Sequence, residues 1–388
     1  MDILYSIDWY LIFTSLAKTV VVLGIVLTMV SYTVYAERRV SALIQDRLGP
    51  NRVGFPITLL GAAKDFSPIL GGLGQPIADA MKLLIKEDFT PAHVNKFYYW
   101  IAPALGIGAV IVTLAVIPFG STFLGDPMCI APNVNVGPLF IFAFSSLGVY
   151  GIVLAGWSAN SKYQFLGSIR SSSQMISYEL SLGLSVVPLF LILGKLDLGK
   201  IVDYQVTHGW LLIPITNGHF PSFPQILLWF PVAISFVVFT ISMFAETNRL
   251  PFDLPEAEQE LVGGYHTEYS SMKFALFFLG EYAAMIAGSS LIVTLFLGGW
   301  HFPGIPDGSG AGGFAALQAV PAWIWGLVNI AVFFGKVAVL LLFFIWVRWT
   351  LPRFRYDQLM RLGWLFFFEI ALVNVFLAAV ILAIFPNA

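Results

Sequence analysis

Eight long apolar runs decide what this chain can fold into. They cover approximately 11–35, 98–119, 138–157, 177–195, 225–245, 272–298, 323–347 and 365–385, each bounded by charges, Pro or Gly. A hydrocarbon layer of about 30 Å takes roughly 20 apolar residues in helical form, so each run matches one crossing. Composition agrees, since 58% of the 388 residues are hydrophobic and 11% charged, against about 25% charged in ordinary soluble domains. The expected fold is all-α: a polytopic membrane protein of about eight transmembrane helices, with 1–388 as a single membrane domain. One cysteine, Cys129, leaves no internal disulfide, Fe–S cluster or cysteine-based zinc site for this chain to build alone. The formal net charge of −2 gives nucleic-acid binding no compositional support.

Where the charges sit is more informative than their total. Sixteen of the twenty Lys and Arg fall in, or at the edge of, the segments joining runs 1–2, 3–4, 5–6 and 7–8. The positive-inside rule puts those segments in the cytoplasm or mitochondrial matrix and both termini on the far side. The expected location is thus the cell inner membrane with periplasmic termini, or the mitochondrial inner membrane in a eukaryote. The leader MDILYSIDWY has two Asp and no basic residue, unlike a cleavable signal, so the first run is expected to stay as an anchor. The longest basic segment, 36–97, is too punctuated by Gly and Pro for a core of its own, and no inverted repeat of the transporter kind is visible. Within it Ile77, Met81, Leu84 and Ile85 recur at helical spacing opposite Asp79, Lys82 and Lys86. That pattern predicts an amphipathic interfacial helix from Gln75 to Lys86.

Ionisable groups inside apolar runs are costly and face a cavity, a partner or one another. Glu37 ends the first run, Glu179 lies near the start of the fourth, and Glu246 closes the fifth. Glu281 is inside the sixth, Lys336 inside the seventh, and Glu369 near the start of the eighth. At run ends, as for Glu37 and Glu369, a headgroup position is an alternative to function. Glu281 and Lys336, with apolar sequence on both sides, require a function or a partner. Segment 246–268 holds Glu246, Asp253, Glu256, Glu258, Glu260 and Glu268 against Arg249 alone, a net −5. Crowded carboxylates in a partly dry site raise one another's pKa, which is the physics of a proton relay; a solvated acidic loop docking a basic partner is the alternative.

Arg38, Arg39, Arg47 and Arg52, with Arg348, Arg353, Arg355 and Arg361, bracket the same face, and several of them serve only to fix topology. Arg47 and Arg52 sit in DRLGPNRVG, where Gly49, Pro50, Asn51 and Gly54 predict a tight turn holding the guanidinium groups in fixed directions. Such a turn suits docking of a soluble protein or an anionic headgroup. His93, His208, His219, His266 and His301 all fall in expected loops or at run edges, so no transmembrane bis-His haem site can be assembled. GGLGQP (71–76) lacks the GK[ST] ending of a phosphate loop. On its own the chain is expected to carry no electrons.

Five ordered motifs then point to a family. AERRVSALIQDRLGPNRVG (36–54), QPIADAMKLLIKEDFTP (75–91), GSIRSSSQMISYELSL (167–182), AETNRLPFDLPEAEQELVGGYHTEYSSMKFALFFLGEY (245–282) and RWTLPRFRYDQLMRLGW (348–364) run through nearly the whole chain. In these the sequence resembles the membrane subunit of respiratory complex I, the proton-translocating NADH:quinone oxidoreductase, at the junction with its peripheral arm. That component is designated H in bacteria and 1 in mitochondria. The resemblance implies a quinone-chamber subunit that binds and guides quinone (ubiquinone or menaquinone) as substrate, with no metal or flavin of its own. It implies as partners the other membrane-arm subunits, the soluble quinone-reducing iron–sulfur subunits and membrane lipid. By the same resemblance Glu37, Arg38, Arg39, Arg47, Arg52, Asp79 and Lys82 belong to the chamber and its portal. Arg170 and Glu179, a pair around the start of the fourth span, together with Glu246, Asp253, Glu256, Glu258, Glu260, Glu268 and Glu281, belong to the acidic path of proton coupling.

Two departures stand out. ITLLGAAKDFSPILGGLG (57–74) lengthens the stretch between NRVG and QPIAD beside the expected portal, as an altered entrance, an extra contact or a tolerated surface insertion. After RLGW, where the family commonly has Lys and then Pro, the chain has Leu365 and Glu369. The homologous membrane subunit of a membrane-bound hydrogenase or formate hydrogenlyase would keep the same fold with another electron donor; the retained chamber motifs favour complex I. A stand-alone ion channel or transporter, suggested by Glu281 and Lys336, lacks the inverted repeat expected of it.

Overall fold

Apolar length becomes helix length in the computed structural model, which describes residues 9–51, 53, 72–123, 125–132, 134–213, 223–254, 262–307 and 320–385. In chain order the elements are α1 (Trp9–Ile44), α2 (Gln75–Ile85), α3 (Lys96–Leu114), a short hairpin of β1 (Thr122–Phe123) and β2 (Asp126–Pro127), α4 (Gly137–Ser158) and α5 (Lys162–Leu193). There follow α6 (Leu198–His208), α7 (Phe223–Glu246), α8 (Ser271–Phe296), α9 (Ala322–Thr350), α10 (Tyr356–Arg361), a π-helical turn Leu362–Phe367, and α11 (Phe368–Ile384). Eight of these helical segments are long and apolar enough to cross a membrane, the last being Tyr356–Ile384 with its π turn. The protein is an all-α polytopic membrane protein. The insertion at 57–74 lies outside the described residues up to position 71.

Two boundaries differ from the sequence expectation, for physical reasons. Helix α1 runs on past 35 to Ile44, so Glu37 sits within the helix rather than at its end. Helix α5 begins at Lys162, well before 177, because its polar residues face protein and not lipid. Ser168, Ser171, Gln174, Ser177, Ser181 and Ser185 are all buried, in a helix packed on α4, α7 and α11. Small residues let helices approach closely, and the serine-rich motif supplies such a stripe. Glu179 therefore lies in the middle of α5, not near its start. The same device joins α3 to α4, where a Cβ on Gly151 would come within 2.9 Å of the Gly106 backbone nitrogen.

Helix α8 is the centre of the bundle. Sixty-seven per cent of its apolar window is buried, more than in any other span, and it packs against α1, α2, α3, α6, α7 and α9. Its start is stitched to the end of α2: the Ser271 hydroxyl donates to the carbonyls of Leu83 (3.0 Å) and Lys86 (3.1 Å). Lys273 reaches Asp88 at 3.0 Å and Thr90 at 2.7 Å. Helix α2 is present as the pattern predicts, with Ile77, Met81, Leu84 and Ile85 all exposed.

At the other end of α8 the orphan carbonyls of the last turn need donors. Lys336, from α9, donates to the carbonyls of Leu297 (2.6 Å), Gly299 (2.9 Å) and His301 (2.7 Å), with its ammonium over the Trp210 ring at 4.2 Å. Gln205 donates to the Thr294 carbonyl (2.9 Å) and accepts from the Gly298 amide (2.9 Å). Gly298 and Gly299 take φ +74° and +54°, a conformation glycine adopts at little cost. The intramembrane lysine thus gathers the carbonyls of the cap and loop that follow α8, just beyond the helix C-terminus, where the helix dipole favours a cation. Lys336→Met should lower unfolding stability by about 2 kcal/mol, the order of cost of stranded buried acceptors. Unfolding of the variant in detergent at wild-type stability would contradict this role.

Candidate functional site

The site is built from one end of the bundle inward. Where α7 ends, residues 247–254 fold back and are pinned to α5: the Gln174 amide donates to the carbonyls of Ala245 (2.8 Å) and Phe252 (2.9 Å) and to Asn248 Oδ1 (3.2 Å). The segment after α9 covers this loop, with the Phe354 amide bonded to the Pro251 carbonyl at 3.2 Å. Arg353 pairs with Asp253 at 3.1 Å. Residues 262–270 are held in turn by Tyr99, whose hydroxyl donates to the Glu268 carbonyl at 2.6 Å. The Gln164 side-chain oxygen, assigned by the donors it faces, accepts from the Thr267 and Glu268 amides. Gly264, at φ +68°, lies against Gly167 of α5, where a Cβ would be 2.9 Å from its Cα.

These two loops present Arg249 and Tyr265 to α8. The Tyr265 hydroxyl donates to Glu281 Oε1 at 2.7 Å, and an Arg249 nitrogen lies 3.6 Å from Glu281 Oε2, with both side chains largely buried (6% and 12% exposed). Glu281 is ten residues into α8, about 15 Å along the axis at roughly 1.5 Å per residue. Its neighbour Tyr282 points about 100° around the helix and links two charges: its ring lies under the Arg249 guanidinium at 4.1 Å, and its hydroxyl donates to Glu37 Oε2 at 2.5 Å. Arg348, in the last turn of α9, pairs with Glu37 Oε1. Two acids and two arginines are thereby joined through Tyr282, with Tyr265 a further donor to Glu281, a balance that low-dielectric surroundings demand.

Beside this network is a cavity of about 110 Å³ between α3, α4, α5, α7 and α8. Its polar lining is Glu246, Glu281, Asn248, Thr113, Ser145 and Thr247, and the rest is apolar. At about 10–15 Å³ per water such a space holds several. Glu179 is within electrostatic range of Glu246, and Asp253 of Glu281. His266, among Phe274 and Phe278, is held by burial at a pKa of about 4 and adds no positive charge near neutral pH.

Of the residues expected from sequence, Arg38 and Asp79 meet in an ion pair of 2.8 Å joining α1 to α2. Arg39 and Lys82 are exposed nearby, and Arg47 is exposed, its Nε on Gln45 at 2.6 Å. Arg170 and Glu179 are not a contacting pair. Nine residues apart on one helix, they lie about 13.5 Å apart along its axis and on opposite faces, and the Arg170 guanidinium stands 5.9 Å from the Tyr356 ring centroid. Arg52, Glu256, Glu258 and Glu260 lie outside the described residues. Sequence reasoning missed Tyr265 and Tyr282 and gave Arg249 and Arg348 no role in the site. The signal available was a Tyr beside a buried Glu in GEY, and a lone Arg in an acidic loop.

A buried charge network and an acidic cavity inside an eight-span bundle define a polytopic membrane protein with a charged site at its centre. A sequence profile of the family described as NADH dehydrogenase matches residues 17–379. The NADH-quinone oxidoreductase H subunit numbered 1 in Geobacter metallireducens is 46% identical, over 95% of this chain and 96% of its own length. The H subunit of the Ehrlichia ruminantium enzyme is 47% identical over 94% and 89%, and the subunit numbered 8 in Rhodothermus marinus 43% over 97% and 99%. The chain belongs to the family of NADH-quinone oxidoreductase H subunits.

The Glu37–Arg348 pair gives a direct test of the network. In a double-mutant cycle, Glu37→Gln and Arg348→Met should each destabilise strongly. The double variant should be about 1–3 kcal/mol less destabilised than the sum of the two, as for groups in contact. Additive losses in detergent unfolding would contradict the pairing.

Proposed function

We propose that this chain forms the quinone chamber of an NADH:quinone oxidoreductase and couples quinone reduction to proton translocation along an acidic path. The observation carrying this reading is Glu281. One side of it belongs to the Arg249–Tyr282–Glu37–Arg348 network, and the other lines the cavity of Glu246. The family supports the coarser part, a subunit of that enzyme complex working with other subunits of the same assembly. The chamber and portal are assigned to Glu37, Arg38, Arg39, Arg47, Arg52, Asp79 and Lys82. The path is assigned to Arg170, Glu179, Glu246, Asp253, Glu256, Glu258, Glu260, Glu268 and Glu281. In this reading residues 1–388 form one membrane domain, the arginine-rich end faces the cytoplasm and meets soluble iron–sulfur partners, and both termini are periplasmic.

The residues fit a quinone chemically. The exposed apolar face of α2 suits an isoprenoid tail, and the Arg38–Asp79 pair beside it offers a polar edge to the headgroup. Reduction of a quinone consumes two electrons and two protons. A transient quinone anion at the chamber end of the cluster draws on the positive charge of Arg348 and leaves the two acids and two arginines one negative charge in excess. That excess favours the protonated form of Glu281, which takes its proton from Glu246 across the cavity. Tyr282 keeps the two ends in register, and Gln174 holds the Arg249 loop at its distance.

Glu281→Gln should abolish proton pumping by native membrane vesicles and slow quinone reduction about tenfold, equivalent to about 1.4 kcal/mol. Both activities at wild-type level, with normal assembly, would overturn the assignment.

A further inference from the structure

Glu369 is a carboxylate within the last span that neither the chamber nor the acidic path absorbs, and it points outward. Among the described residues no hydrogen-bond or ion-pair partner reaches it, and it is exposed on α11 within a ridge of Leu365, Phe366, Leu372, Val373 and Phe376. Its orientation is set by the π turn, which adds a residue to one helical turn and rotates everything after it. Gly363 of that turn lies against Tyr178, where a Cβ would be 3.2 Å from the ring, and the Trp364 indole donates to the Ser177 hydroxyl at 2.9 Å. The turn is anchored on α5, so Glu369 cannot rotate inward without breaking both contacts.

A headgroup position does not suit this residue. Ile370 to Phe385 is sixteen residues, about 24 Å of helix, short of the roughly 30 Å hydrocarbon layer. With the end of α11 at the membrane surface Glu369 lies within the apolar layer, and its short side chain snorkels less far than Lys or Arg. Because the π turn runs into α11 without a break, there is no free helix N-terminus to offer donors.

We infer that the outer face of α11 around Glu369 docks a transmembrane helix of another subunit presenting a Lys or Arg at this depth. This rests on the proposed membership in a multi-subunit complex. A lipid amine stays in the headgroup layer, whereas a helix-borne cation meets the carboxylate below it, and the large apolar residues on either side of Glu369 match a helix flank.

The test places the photo-crosslinker p-benzoylphenylalanine at Phe376, or at exposed Val339 on α9 as a control, in the complete complex in native membranes. The expected result is a discrete adduct at 376 with one membrane subunit whose crosslinked span contains Lys or Arg. Glu369→Lys should reduce it at least tenfold, Glu369→Gln less, and the reciprocal basic-to-Glu change in the partner should restore it. Adducts to lipid only, or a yield indifferent to both Glu369 variants, would overturn the inference. Flavin and iron–sulfur subunits are measured in the same purified sample. Their presence with a lipid-only adduct sinks the docking site alone, and their absence sinks the complex I reading.

Discussion

Charge matching in a low-dielectric bundle governs how this protein is put together. Glu37 and Glu281 are tolerable in the membrane because Arg348 and Arg249 stand beside them and Tyr282 and Tyr265 donate to the carboxylates. None of these partners is next in sequence to the acid it serves; folding brings them together. Glu37 comes from α1, Arg348 from α9, Arg249 from the loop after α7, and α8 carries the residues that join them. The central position of α8, the pinning of residues 247–254 by Gln174, and the covering segment with Arg353 on Asp253 all hold that balance in place.

Intramembrane polar residues serve two different ends in this protein. Lys336 and Gln205 spend their donors on the carbonyls that end α8 and are fully used there. The buried serines of α5 provide close helix contact, and the hydroxyls of Ser168, Ser177 and Ser185 bond back to carbonyls of their own helix, Ser177 to Ser173 at 2.6 Å. Glu246 and Glu281 differ because part of their surroundings is a cavity rather than a fixed donor. That contrast separates the structural lysine from the acids assigned to coupling.

Much of this was legible in the sequence. Eight apolar runs gave eight spans, and helical spacing located α2 within a residue of its observed end. The motifs gave the family, now supported by relatives at 43–47% identity over nearly the whole chain. What hydropathy could not show was the first half of α5: buried Ser and Gln read as loop because a hydropathy scan treats every residue as lipid-facing. Partnerships were equally hidden. Arg348 reads from sequence as a topology marker, Lys336 as a group with either a function or an unidentified partner, and Arg170 with Glu179 as a pair. Each is decided by which helices touch, information a one-dimensional pattern does not contain. Tyr265 and Tyr282 passed unnoticed because aromatic residues are common in spans and only geometry aims a hydroxyl.

In the proposed coupling, quinone reduction changes the protonation of Glu281 through the Glu37–Tyr282–Arg249 chain. Redox-triggered infrared difference spectroscopy of the complex in native membranes tests it most directly. The expected result is a protonated-carboxyl C=O difference band that appears with quinone reduction, vanishes in Glu281→Gln and shifts or shrinks in Tyr282→Phe. A carboxyl difference spectrum identical in wild type and both variants would contradict it.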